Sequence, residues 1–183
     1  MKDATAYVCG LGFYEFSLNG EKVGDSEFAP LWSDYDKSVY YNTYDVTSQV
    51  KKGGNAIGVL LGNGFYNVQG GRYRKLQISF GAPTLRFRMV VNYEDGTSET
   101  IVSGKDWKYD FSPVLFNCIY GGEDYDARRE QKGWNMFGFK EQDWRPVVIQ
   151  EAPKGVLRPQ IAQPVKIMER YDIREVTSSP LNR

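Results

Sequence analysis

Between residues 39 and 64 the chain reads VYYNTYDVTSQVKKGGNAIGVLLGNG, and this stretch leaves little room for a helix. Val39, Tyr41 and Thr43 alternate with Tyr40, Asn42 and Tyr44, a period-two pattern of β-branched and aromatic residues that suits a pleated strand. The apolar run at 56–61 is short, carries Gly58 inside and stops at Gly62-Asn63-Gly64, which predicts a core strand closed by a tight turn. Between the two, Asp45 or Thr47 is placed to cap one helical turn over Ser48 to Val50, and residues 51–55 supply left-handed positions for a reversal. The pair is expected at the centre of a sheet.

The flanking sequence follows the same grammar. Residues 5–18 predict one long strand or two consecutive ones, with Tyr7, Cys9 and Leu11 on one face, a bend at Gly10 and Gly12, and Tyr14, Phe16 and Leu18 sharing a face beyond it. Asn19-Gly20 is a strong hairpin signal. The Gly10-Leu11-Gly12 spacing lacks the third glycine and the following helix of a dinucleotide loop. Residues 84–93 alternate Leu85, Phe87, Met89 and Val91 against Arg86, Arg88 and Val90, and Glu94-Asp95-Gly96 turns them into a partner strand at 97–102, so Arg86 and Arg88 are expected to face solvent or a neighbouring domain. A further strand is expected at 114–119. Short strands, frequent turn signals and no amphipathic helix predict an all-β fold, an antiparallel β-sandwich of jelly-roll type.

Composition removes whole classes of chemistry. The 183 residues contain no histidine, which excludes Ser-His-Asp and Cys-His nucleophile systems, imidazole metal sites and the commonest general base. Cys9 and Cys118 are far apart without CxxC spacing, so thiolate zinc and redox motifs are excluded too; two buried free thiols are the expectation and a disulfide the alternative. Lysine plus arginine equals aspartate plus glutamate at 23 each, so no net field draws the chain to nucleic acid or an anionic membrane, and the basic run at 72–75 reads as a solvated loop. Neither a signal-peptide apolar segment nor a membrane-spanning one is present, and Met1-Lys2-Asp3 looks like a cloned or internal beginning.

Three loops carry candidate binding residues. Trp32, Asp34 and Tyr35 lie close together: aromatic planes stack on a sugar's apolar face while carboxylates accept from its hydroxyls, although Trp32 and Tyr35 also suit a plug for the sandwich end, and that reading carries more weight. The glycine-rich turn after the second central strand offers Asn63, Tyr66 and Asn67. Residues 121–129 hold the densest carboxylate cluster, Glu123, Asp124 and Asp126, beside Arg128 and Arg129. Such spacing on one loop favours a structural charge network over a ligand or metal site, and least of all an acid/base pair spanning a scissile bond.

The turn Tyr44-Asp45-Val46-Thr47, the run at 56–64, the segments at 7–20 and 30–35, and Ile119 to Arg128 occur in the order found in bacterial α-L-rhamnosidases, and residues 4–147 together resemble their N-terminal β-sandwich domain. The resemblance implies a galactose-binding-like sandwich over residues 1–150, with 151–183 a linker and the first strand or strands of a following domain. It implies an ancillary, non-catalytic role beside a downstream helical barrel that holds the hydrolytic carboxylates, with downstream domains and a rhamnose-containing glycan as partners; a purely structural spacer is the alternative. Related rhamnose-binding sandwiches use calcium, for which Asp34, Asn63 and Asp126 are the candidate ligands here. Phe65 stands where the family commonly has tryptophan.

Overall fold

The computed structural model describes residues 1–70, 72 and 76–178. Two strands, β1 (Asp3–Leu11) and β2 (Phe13–Leu18), part at Gly12, whose φ is +109°. A Cβ there would lie 2.1 Å from the Gly62 carbonyl oxygen, so both the angle and the close backbone approach demand glycine. Asn19 and Gly20 are left-handed, at φ 55° and 88°, as a two-residue hairpin with the twist of its strands requires, and β3 (Glu21–Lys22) returns beside β2. The chain continues through β4 (Ser26–Glu27), β5 (Ser38–Asp45), β6 (Ile57–Gly62), β7 (Asn67–Val68), β8 (Ile78–Ser79), β9 (Thr84–Asn92) and β10 (Ser98–Val102). Then come β11 (Lys108–Tyr109), β12 (Val114–Cys118), β13 (Gly122–Tyr125), a single 3-10 turn at Ala127–Arg129, β14 (Arg145–Pro146), β15 (Val156–Pro159) and β16 (Val165–Lys166).

A five-stranded sheet in the order β10-β9-β1-β5-β15 faces a three-stranded sheet in the order β3-β2-β6. Between them Ala4, Ala6, Val8, Phe87, Met89 and Val91 of the first sheet meet Tyr14, Phe16 and Leu18 of the second, all nearly inaccessible. Phe16 packs edge-on against Phe87 at 5.4 Å, and Trp107 covers Phe87 at 5.5 Å. The Tyr14 hydroxyl is satisfied inside this core by Asn42 Oδ1 at 3.0 Å and the Tyr44 hydroxyl at 2.9 Å. This is the all-β jelly-roll sandwich, and its strand pairs are antiparallel except β15 with β5.

The central pair expected at 39–64 is not a pair. β5 lies between β1 and β15, while β6 pairs with β2 in the opposite sheet. The polar crossing carries the chain between layers. Asp45 accepts from the Thr47 N–H, Val46 is fully buried with its N–H on the Ala4 carbonyl, and Asn55 ties the reversal to the Asn19 side chain at 2.8 Å. Residues 123–125, expected on a loop, form β13, a hairpin arm against β12 turned by Gly122 at φ +76°.

The outer face of the five-stranded sheet carries a second cluster of Cys9, Leu11, Tyr35, Val39 and Tyr66. Cys9 and Cys118 are free and buried, and burial pushes the Cys9 thiol up to about 11, against the pull of Arg86. In the C-terminal stretch, β15 runs parallel to β5 and β16 pairs with β4. Met168, Tyr171, Ile173 and Val176 beyond them are exposed. The basic run at 72–75 lies outside the described residues except for Arg72, which pairs with Asp124 and stands 5.1 Å over the Phe116 ring.

Candidate functional site

The loops at 28–35 and 63–67 meet at one end of the sandwich, where their aromatic residues divide into two groups. Tyr35 is buried, edge-on to Tyr66 at 5.0 Å and to Phe80 at 5.3 Å, and the Tyr66 hydroxyl donates to the Phe80 carbonyl at 3.1 Å. Burial pushes the Tyr35 phenol up to about 12. This is the plug. Trp32 instead is 62% exposed and lies flat on Phe65, with centroids 5.0 Å apart and planes 20° from parallel. Phe65 in turn touches Phe13 at 6.2 Å and Tyr120 at 6.1 Å, and Phe28 adds a further ring 5.4 Å from Phe13. Phe28, Trp32 and Tyr120 are all exposed, and with Phe65 they bring residues from the 28–35 and 63–67 loops and from the turn at Tyr120 to one aromatic rim.

Backbone geometry holds that rim in place. Phe28 adopts φ 52°, a left-handed conformation that costs an aromatic residue about 1–2 kcal/mol, and its position beside Phe13 depends on it. Its neighbour Ala29 is locked by accepting from the Tyr14 N–H at 2.7 Å. Asn63 anchors the 63–67 turn to the β12 strand: its N–H donates to Asn117 Oδ1 at 2.8 Å and its Nδ2 to the Asn117 carbonyl at 3.0 Å. The buried Asn67 donates from Nδ2 to Asn63 Oδ1 at 2.8 Å. Asn63 and Asn67 are thus turned inward. Asn117, which organises this junction, was not singled out from sequence, though a lone amide within Val114-Leu-Phe-Asn-Cys118 is the signal for it.

Each of the carboxylates is engaged separately. Lys37, 3.0 Å from Asp34, holds that carboxyl below the usual range, and Asp34 also accepts from the Asp36 N–H. Asp126 caps the 3-10 turn and takes two bonds from the Arg128 guanidinium, at 2.8 Å each, which lower it likewise. Arg72 does the same for Asp124. Glu123 is exposed on β13 opposite Asn117, the residue that bonds Asn63. A calcium ion held by Asp34, Asn63 and Asp126 would compete with Lys37, Asn67 and Arg128, and among the described residues no three His, Cys, Asp or Glu side chains gather as a cage.

Concavities lie elsewhere, where the sandwich meets its C-terminal stretch. One of about 350 Å³ runs between Gly24, Tyr41, Tyr44 and Pro159 to Pro164, and one of about 390 Å³ between Lys22, Glu27 and Met168. Neither includes a residue expected from sequence.

The family described as "Alpha-L-rhamnosidase N-terminal domain" matches residues 1–169. This chain belongs to that family. An alpha-L-rhamnosidase of Streptomyces avermitilis is 39% identical over 176 residues, 95% of this chain but 17% of that protein. One of Formosa agariphila is 44% identical over 146 residues, covering 78% and 15%. Among solved structures, alpha-L-rhamnosidases from Aspergillus terreus and Dictyoglumus thermophilum superpose with TM-scores of 0.87 and 0.84, at 37% and 41% identity, over 97% and 92% of this chain and 21% and 18% of theirs. The chain therefore spans about a sixth of the length of these curated rhamnosidases. The family match reaches beyond the resembling motifs to include β15 and β16.

Proposed function

We propose that this chain is the ancillary N-terminal sandwich of a multidomain α-L-rhamnosidase, continuing from its C-terminal stretch into further domains, and that its aromatic rim holds rhamnose-bearing plant-type glycans near a separate hydrolytic domain. The observation that carries the binding role is Trp32, exposed and stacked on Phe65, with the exposed Phe28 joined to Phe65 through Phe13 and held in a conformation aromatic residues rarely adopt. The solved rhamnosidase of Streptomyces avermitilis, 39% identical, is described as complexed with L-rhamnose. A deoxyhexose presents one methyl group and several ring C–H bonds to such a surface. Hydrolysis falls to another domain, since Asp124 and Asp126 are occupied by arginines rather than facing each other across a cleft. An aryl rhamnoside is accordingly not turned over by this chain.

A small ligand with few contacts reaches a Kd of about 0.1–1 mM, near 4–5.5 kcal/mol. Calorimetry of the wild type and Trp32→Ala with rhamnose, each with calcium and with chelator, tests the reading. Binding in the expected range that disappears in Trp32→Ala supports the rim; binding untouched by the substitution places the sugar on another face. A calcium-dependent gain would bring Asp34 and Asp126 into the site. The second reading, a spacer whose loops serve interdomain contacts, is favoured by the inward turn of Tyr35, Tyr66, Asn63 and Asn67, and undetectable binding at roughly 20 mM rhamnose, well above that range, would favour it over the rim.

A further inference from the structure

The outer face of the five-stranded sheet carries a surface that the rim does not use. Because Ala4, Ala6, Val8, Phe87, Met89 and Val91 point into the core, alternation turns Thr5, Tyr7 and Cys9 of β1 and Arg86, Arg88 and Val90 of β9 the other way. The register sets Tyr7 opposite both Arg88 and Thr43, and Cys9 opposite Arg86. Tyr41 of β5 lies edge-on to Tyr7 at 6.1 Å and packs on the Cys9, Leu11 and Tyr35 cluster, which gives this end of the surface a firm floor. Two guanidiniums therefore border two half-buried phenol rings.

Their charges are uncompensated. Among the described residues Arg86 and Arg88 are exposed and make no ion pair and no side-chain hydrogen bond, a state they share with most cations of the chain; what sets them apart is their placement in series beside the Tyr7 and Tyr41 rings. The Tyr7 and Tyr41 hydroxyls likewise have no hydrogen bond among the described residues. Alternate positions on a strand are about 6.6–6.8 Å apart, so Arg86 and Arg88 present two planar forks in series, each matched to a carboxylate. The overall charge is zero, so this is a local match to one or two anionic groups and not the extended basic surface that a polyphosphate backbone requires.

The geometry points to a second glycan site, specific for uronic-acid-containing polysaccharide: Arg86 and Arg88 take carboxylates while Tyr7 and Tyr41 seat a pyranose ring and offer it their hydroxyls. Neither Trp32 nor Phe65 lines this face, so the site stands independently of rhamnose binding at the rim. Affinity electrophoresis of the 183-residue chain through polygalacturonate, neutral pullulan and poly-L-glutamate tests it, with Arg86→Gln/Arg88→Gln, Tyr7→Phe and Trp32→Ala compared at equal melting temperature. Polygalacturonate should retard the wild type and Trp32→Ala alike, pullulan should not, and the double arginine variant should bind about tenfold more weakly, as loss of charge-assisted contacts implies. Tyr7→Phe, which keeps the ring, should bind measurably more weakly at unchanged stability. No retardation of the wild type by polygalacturonate, or equal retardation of the double variant, overturns the proposal. Equal affinity for poly-L-glutamate overturns it in favour of an acidic polypeptide.

Discussion

Trp32 and Tyr35 stand three residues apart in one loop, Phe65 and Tyr66 are neighbours in another, and each pair is divided between two aromatic clusters of opposite character. Tyr35 and Tyr66 close over the outer face of the five-stranded sheet, with Tyr66 keeping a hydrogen bond for its hydroxyl. Trp32 and Phe65 stack on the rim, with Trp32 largely in solvent. The plug gains from removing apolar area from water, whereas the rim leaves such area exposed while backbone strain at Phe28 holds a ring beside it. Aromatic content in a loop therefore says little until its partners are known: the same two segments supply a buried packing element and an exposed aromatic surface.

The contrast can be broken at several points. Tyr35→Ala should have the largest effect, about 3 kcal/mol in denaturant unfolding, because a buried ring leaves a cavity between Tyr66, Phe80 and Val39. A loss under about 1 kcal/mol would mean that the plug collapses without cost and is not structural. Asn63→Ala comes next, at about 1–3 kcal/mol, since the buried Asn67 amide loses its acceptor and β12 loses one tie to the turn. Trp32→Ala should cost only about 0.5–1 kcal/mol, the value of one exposed stacked pair, while abolishing any rhamnose response; a stability loss equal to that of Tyr35→Ala would erase the distinction between the clusters.

The smallest effect concerns acid. Hydrogen bonds from Lys37, Arg72 and Arg128 hold Asp34, Asp124 and Asp126 below the ordinary carboxylate range. A depressed folded-state pKa contributes stability that is fully present above the unfolded value and is lost as pH falls through the folded one, so melting temperature should decline below about pH 4. All three carboxylates are solvent-accessible and screened, and 1 M salt should flatten most of their share. An Asp126→Asn chain with an unchanged acid limb would show that the Arg128 pair adds nothing.

Much of the architecture was legible because it is written locally. The bend at Gly12, the hairpin at Asn19-Gly20, the turn at Gly96 and the alternation of Phe87, Met89 and Val91 each depend on residues within one strand or turn. Both cysteines are free and buried, as expected, although their spacing alone left a disulfide open. The placement of β5 and β6 did not, because a period-two pattern states that a strand has two faces without saying which layer covers either. At this end of the sandwich, sequence reasoning singled out the loops at 32–35 and 63–67 but not Phe28, Tyr120 or Asn117, whose contacts span 15 to 55 positions of chain.

The sequence by itself determined that this chain is a β-sandwich without histidine chemistry, with two strand faces at each alternating run and turns at its asparagine and glycine pairs. Only the tertiary structure decided which strands are neighbours, which rings are buried and which guanidiniums lack a carboxylate. Backbone propensity and side-chain alternation act over a few residues, while pairing order, burial and charge compensation depend on which distant segments meet, and that is set by closing the two sheets around a common core.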